Sequence, residues 1–92
     1  MGPFKETAGI FIYPNPVVDR KISIQFNNQP AGTYYIYLIN QLGQVVMNDV
    51  QKIENRNFVK TMLLSKNIAA GQYNFAIVRD KGNKIIYPVF IK

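Results

Sequence analysis

Few side chains in this sequence could do covalent chemistry, and their spacing argues against it. Ser23 and Ser65 are the only serines, and the chain has no histidine to take a proton from either hydroxyl. The carboxylates Glu6, Asp19, Asp49, Glu54 and Asp80 are dispersed, without the spacing of a calcium loop or a general acid–base pair. With no cysteine and no histidine, disulfides, thiolate chemistry and the commonest metal ligands are missing too. The expectation is a domain that is not an enzyme and uses no metal or cofactor.

Recognition chemistry is better supplied. Tyr35 and Tyr37, two apart, would share one face of a strand and could stack on a sugar ring or an unpaired base. The basic residues do not gather there; they sit on turns and around Lys81–Lys84. Strand aromatics serve mostly as cross-strand packing partners. Packing is therefore expected, with no nucleic-acid partner, and a carbohydrate-binding or adhesive module is the alternative function. The net charge of +6 suits an anionic surface, which Arg79, Lys81 and Lys84 could meet from either side of one turn.

The elements that must position these residues are short strands. Ninety-two residues, 48% apolar and 17% charged, fit one small domain with a packed core. No apolar run approaches the roughly 20 residues of a membrane-spanning helix, and the N-terminus lacks the apolar stretch of a signal peptide. Residues 1–8, beginning Met1-Gly2-Pro3, read as a linker or cloning remnant and residues 9–92 as the domain. Seven segments have strand character: Gly9–Tyr13, Lys21–Phe26, Thr33–Asn40, Gln44–Met47 continuing with a bulge past Val50 toward Ile53, Phe58–Leu64, Gln72–Val78 and Lys84–Ile91. Lys21–Phe26 alternates cleanly, with Ile22, Ile24 and Phe26 on one face, as a half-buried antiparallel strand does. Asn40-Gln41-Leu42-Gly43 and Asp80-Lys81-Gly82-Asn83 read as tight hairpin turns, and Ser65–Gly71 as a connection with room for one turn of 3₁₀ helix. This grammar predicts an all-β fold, a seven-stranded antiparallel immunoglobulin-like β-sandwich, with a small barrel as the alternative.

Three local features stand out. Tyr13-Pro14-Asn15-Pro16 puts two residues without an N–H at the end of the first strand, which predicts a rigid exit from an edge strand. Pro88 likewise predicts that Lys84–Ile91 is an edge strand or bulges there. Gly32-Thr33-Tyr34 and Gly71-Gln72-Tyr73 both follow an alanine and lead into alternating apolar residues. In each, glycine would release the chain from a loop and tyrosine would cap the core edge with its hydroxyl toward water.

In this order and spacing, Tyr13-Pro14-Asn15-Pro16, Gly32-Thr33-Tyr34, Asn40-Gln41-Leu42-Gly43-Gln44-Val45-Val46, Ala70-Gly71-Gln72-Tyr73 and a final Lys92 after an apolar run resemble the C-terminal sorting domain of type IX secretion cargo from Bacteroidetes. The resemblance covers about residues 9 to 92. It implies a β-sandwich that acts as an export address on a larger secreted enzyme or adhesin, reaching the cell surface or exterior through the periplasm and outer membrane. The implied partners are the outer-membrane translocon, its shuttle protein and a sortase-like peptidase. That peptidase removes the domain and joins cargo to anionic lipopolysaccharide; a cut near Thr7-Ala8-Gly9 is expected. Carried over residue by residue, the recognition candidates are Val89, Phe90, Ile91 and Lys92 in the tail, Gly71 and Tyr73, and Pro14, Asn15 and Pro16. Pro88 stands near the place where the family tail often carries a lysine, and Lys84 is the nearest upstream. An edge strand at the end of the chain could add to a partner's sheet, or to a second copy as an edge-strand dimer.

Overall fold

The computed structural model describes residues 8–79 and 82–92, and among them it is all-β, with seven strands and no helix. The strands are β1 (Gly9–Val18), β2 (Lys21–Asn27), β3 (Gly32–Ile39), β4 (Val45–Ile53), β5 (Phe58–Leu63), β6 (Gly71–Arg79) and β7 (Lys84–Ile91). They are ordered β4-β3-β6-β7-β1-β2-β5. Every pairing is antiparallel except one: β1 runs parallel to β7, joined at Val17↔Ile91, so the sheet is mixed.

Alternation explains the core. Ile22, Ile24 and Phe26 of β2, Tyr34, Ile36 and Leu38 of β3, and Phe75 and Ile77 of β6 are all buried, each at period two along its strand. Val17, Val89 and Ile91 complete this core where β1 meets β7. Phe26 packs edge-on against Tyr34, ring centroids 5.0 Å apart. No charged residue is buried among those described, so the side chains of the interior are held chiefly by apolar packing.

The outermost strands, β4 and β5, nearly close the sheet on itself through side chains. Lys60 on β5 pairs with Asp49 on β4 at 3.1 Å and donates to Gln51 Oε1 at 3.1 Å. This ion pair holds the Asp49 carboxyl below its ordinary 3.8, chiefly through the hydrogen bond from Lys60.

Several expectations need correction. The first strand does not leave the sheet at the prolines: β1 pairs with β2 from Gly9↔Asn27 to Tyr13↔Ser23, shifts register, and resumes at Val18↔Lys21 while Val17 joins β7. Asp19 and Arg20 then form a two-residue turn with φ of 57° and 54°, the twist that suits a hairpin. Nor is β7 an edge strand, since it lies between β6 and β1 and its register with β6 runs unbroken through Asn74↔Pro88. The Arg79 N–H donates to the Asn83 carbonyl at 2.9 Å, and counting alternate pairs from there turns the Pro88 nitrogen away from β6. The missing donor therefore costs that ladder nothing. The expected continuation of the fourth strand to Ile53 and its bulge are both present, the bulge near the start of β4, between Leu38↔Met47 and Ile39↔Val45. Between β5 and β6 there is one turn closed by Ile68 N–H to the Ser65 carbonyl at 3.1 Å, and no 3₁₀ helix. Asp80 and Lys81 of the expected second turn lie outside the described residues.

Candidate functional site

Strand direction sorts the molecule into two ends. Gly9, Asn27, Gly32, Ile53, Phe58, Arg79 and Lys84 lie at the leading end, where the chain enters β1. The turns β1–β2 and β3–β4, the β5–β6 connection, and the close of β7 lie at the far end, roughly 25 Å away by the rise of a nine-residue strand. The proline pair, the Asn40–Gln44 turn, the second Gly-x-Tyr segment and the tail all meet at the far end.

Asn15 ties the first of these motifs to the last. Its Nδ2 donates to the Pro88 carbonyl at 3.2 Å, and the Phe90 N–H donates to its Oδ1 at 3.0 Å. One partner can only accept and the other only donate, so the carboxamide has one orientation. It thus serves β7 as a strand's own peptide would, just where the register shift of β1 leaves none. Backbone pairing then takes over, with Val17↔Ile91 and Lys92 N–H to the Val17 carbonyl at 3.0 Å. Pro14 and Pro16 flank this clamp, exposed, and both X–Pro peptides are cis. Higher on β7, the Tyr87 hydroxyl donates to the Ile10 carbonyl, and burial pushes its phenol above the ordinary 10.0.

The tail residues divide by face. Val89 and Ile91 point into the core, whereas Phe90 and Lys92 point out. The carbonyl and amide of the tail that face away from β6 are occupied by Asn15 and Val17, so Val89–Lys92 offers no free edge.

The second Gly-x-Tyr segment frames the same end. Gly71 opens β6 at φ 148°, a conformation L residues rarely adopt, and a Cβ there would meet no other atom within 4 Å. Its need for glycine is thus one of backbone conformation and not of space. The Tyr73 hydroxyl does not face water; it donates to the Ala69 carbonyl four residues upstream at 2.7 Å. Tyr34 does the same to Pro30 at 2.7 Å. Both rings are buried, which obliges each hydroxyl to find a partner.

Two shallow hollows lie side by side here. One, of about 280 Å³, is lined by Asn15, Gln72, Pro88, Val89 and Phe90. The other, of about 240 Å³, is lined by residues 40–42 and 70–73, and Gln72 belongs to both. Of the candidates, Asn15, Val89, Phe90, Gly71 and Tyr73 thus line these adjoining hollows, whereas Pro14, Pro16, Ile91 and Lys92 line neither.

Residues 11–92 match the family described as secretion system C-terminal sorting domain. The chain belongs to that family. No curated protein matches it. Type IX secretion sorting domains are addresses rather than catalysts, and they mark secreted or surface cargo for that machinery.

Against that identity, the remaining inventory of the sorting domain is simple. Ser23 Oγ lies 3.5 Å from Thr61 Oγ1, and Ser65 Oγ accepts from the Asn67 N–H at 3.1 Å; both hydroxyls serve local structure. No group of three acidic residues among those described could hold a metal ion, and no described helix is long and apolar enough to cross a membrane. Tyr35 and Tyr37 stand on the outer face of β3, half-buried beside Val50 and Asn48 of β4 and Val78 and Ala76 of β6. Sequence reasoning did not place Asn40, Leu42, Gln72 or Val17 among the functional candidates. The signal for Asn40 was present, since Asn opening a turn commonly accepts from backbone two residues on, while Gln72 became visible only through strand register.

Proposed function

We propose that this chain is a C-terminal address read by the type IX translocation machinery after periplasmic folding, with residues 9–92 as the domain and residues 1–8 as its linker to cargo. The observation that carries this reading is the convergence of motifs remote in sequence on the far end, away from the point where cargo joins. A folded cargo at the leading end leaves that surface uncovered. In this reading the first half of β1 forms one layer with β2 and β5, and β4-β3-β6-β7 with the second half of β1 forms the other. That is the arrangement of an immunoglobulin-like sandwich whose first strand serves both layers. Candidate contacts are Phe90 and Lys92 directly, with Asn15, Pro14, Pro16, Gly71, Tyr73, Val89 and Ile91 shaping and holding that surface. The outer-membrane translocon and its shuttle protein are the readers, a sortase-like peptidase cuts within the linker near Thr7-Ala8-Gly9, and cargo is released or joined to anionic lipopolysaccharide.

The test is a fusion of the chain to the C-terminus of a folded periplasmic reporter in a cell with type IX secretion. Reporter should appear outside the cell with the domain and remain periplasmic without it; equal export of both overturns the proposal. Truncating Val89–Lys92 is a poor substitute, because it also removes two core residues. A carbohydrate-binding role has less support, since Tyr35 and Tyr37 are packed among their neighbours rather than standing clear as a platform.

A further inference from the structure

Leu42 is the most exposed large apolar residue among those described, at 82%, and it is held in that position. Asn40 Oδ1 accepts from the Leu42 and Gln44 N–H groups, both at 2.9 Å, and Asn40 Nδ2 donates to Gln44 Oε1 at 3.0 Å. Two backbone bonds between Asn40 and residues 43 and 44 close the same turn. Single exposed leucines are ordinary on protein surfaces; one presented on a braced turn has already lost the freedom that binding would otherwise have to remove. Phe90 is a second such residue, 49% exposed on a strand whose backbone Asn15 fastens. Gln72 lies between them, lining both hollows.

Charge gives a second, independent observation. Arg20, Lys21, Lys66 and Lys92 lie at this end, and Asp19 is the one acidic side chain beside them among the described residues. The Arg20 guanidinium donates to the Ser65 and Ile68 carbonyls at 3.0 and 2.7 Å, drawing the loop that bears Lys66 against the β1–β2 turn.

We propose that the far end docks on a protein surface with apolar recesses for Leu42 and Phe90, bordered by carboxylates that face Lys21, Lys66 and Lys92. This rests on reading the chain as a sorting domain, and it assigns that reading two anchors and a charge sign. Buried apolar anchors carry most of the affinity in such contacts, and the cationic border chiefly speeds encounter and sets orientation.

The deciding variant is Leu42→Ser in the reporter fusion, since a side chain so exposed can be changed without disturbing the core. Export should fall at least tenfold with the thermal midpoint of the purified domain unchanged, Leu42→Met should restore it, and Phe90→Ser should match Leu42→Ser. Val59→Ser, 52% exposed at the leading end, should export within twofold of the parent. Reversing Lys21, Lys66 and Lys92 to Glu should lower export by itself. Full export of Leu42→Ser, in a cell where deleting the whole domain abolishes export, overturns the anchors and leaves the sorting reading in place. Loss on charge reversal with full export of Leu42→Ser also overturns them and indicates an anionic glycolipid surface instead. Export that survives deletion of the domain overturns the sorting reading itself.

Discussion

The fold has two seams, and they are closed by different means. At one, β1 crosses from β2 to β7, so the backbone itself joins the two groups of strands, reinforced by the Asn15 clamp and by Val17↔Ile91. At the other, β4 and β5 share no ladder and meet through Lys60 with Asp49 and Gln51. The first seam is apolar and buried at Val17 and Ile91, polar and exposed at the Asn15 clamp, and carries the proline and tail residues assigned to recognition. The second is polar and partly exposed, with Asp49 at 43%. Backbone continuity is insensitive to pH, whereas an ion pair is not, so the two seams should fail under different conditions.

The largest effect should come from Val17→Asp, which places an unpaired charge at a fully buried position of the first seam. A loss of about 4 kcal/mol or more is expected, read as a collapse of the urea midpoint; a small shift would mean that this seam is not where stability resides. Asn15→Ala exposes the Pro88 carbonyl and Phe90 amide to water and should cost about 1–2 kcal/mol, with a larger loss of export than of stability. Tyr73→Phe and Tyr34→Phe each remove one hydroxyl bond, about 1 kcal/mol apiece by thermal melting. The comparison sharpens if only Tyr73→Phe, at the far end, also lowers export. Asp49→Asn should have the smallest effect, about 0.2–1 kcal/mol near neutral pH. Because its carboxyl is held below 3.8, its contribution is complete above that value and is lost as pH falls through the folded-state value. The parent and Asp49→Asn should therefore converge in stability in acid, and a gap that persists there would locate the effect in Gln51 or in packing.

Strand identity was legible because period-two alternation declares itself within one segment: Ile22, Ile24 and Phe26 face inward as their spacing requires. The family was legible for a related reason, since its motifs mark strand starts and turns and can be read locally. What escaped was pairing across distance. Nothing near Pro14 reveals that β7 lies alongside, so two missing donors read as an exit when a side-chain amide 73 residues from Pro88 supplies the bond. Pro88 misled for the same reason, because whether it interrupts a ladder depends on which way its nitrogen faces, and that is set by its partner on β6. The tyrosine hydroxyls were assigned to water because the loops before Gly32 and Gly71 give no hint that they fold back over the rings.

The parallel contact of Val17 with Ile91 also has a consequence for synthesis. During translation, β1 emerges long before its partner, and Asn15 waits for a carbonyl and an amide that belong to β7. Non-local pairing of this kind cannot form until both segments exist. A polypeptide broken off anywhere ahead of β7 carries an open first strand and no assembled far end. An address built this way is assembled late: only a chain translated through β7 can present it.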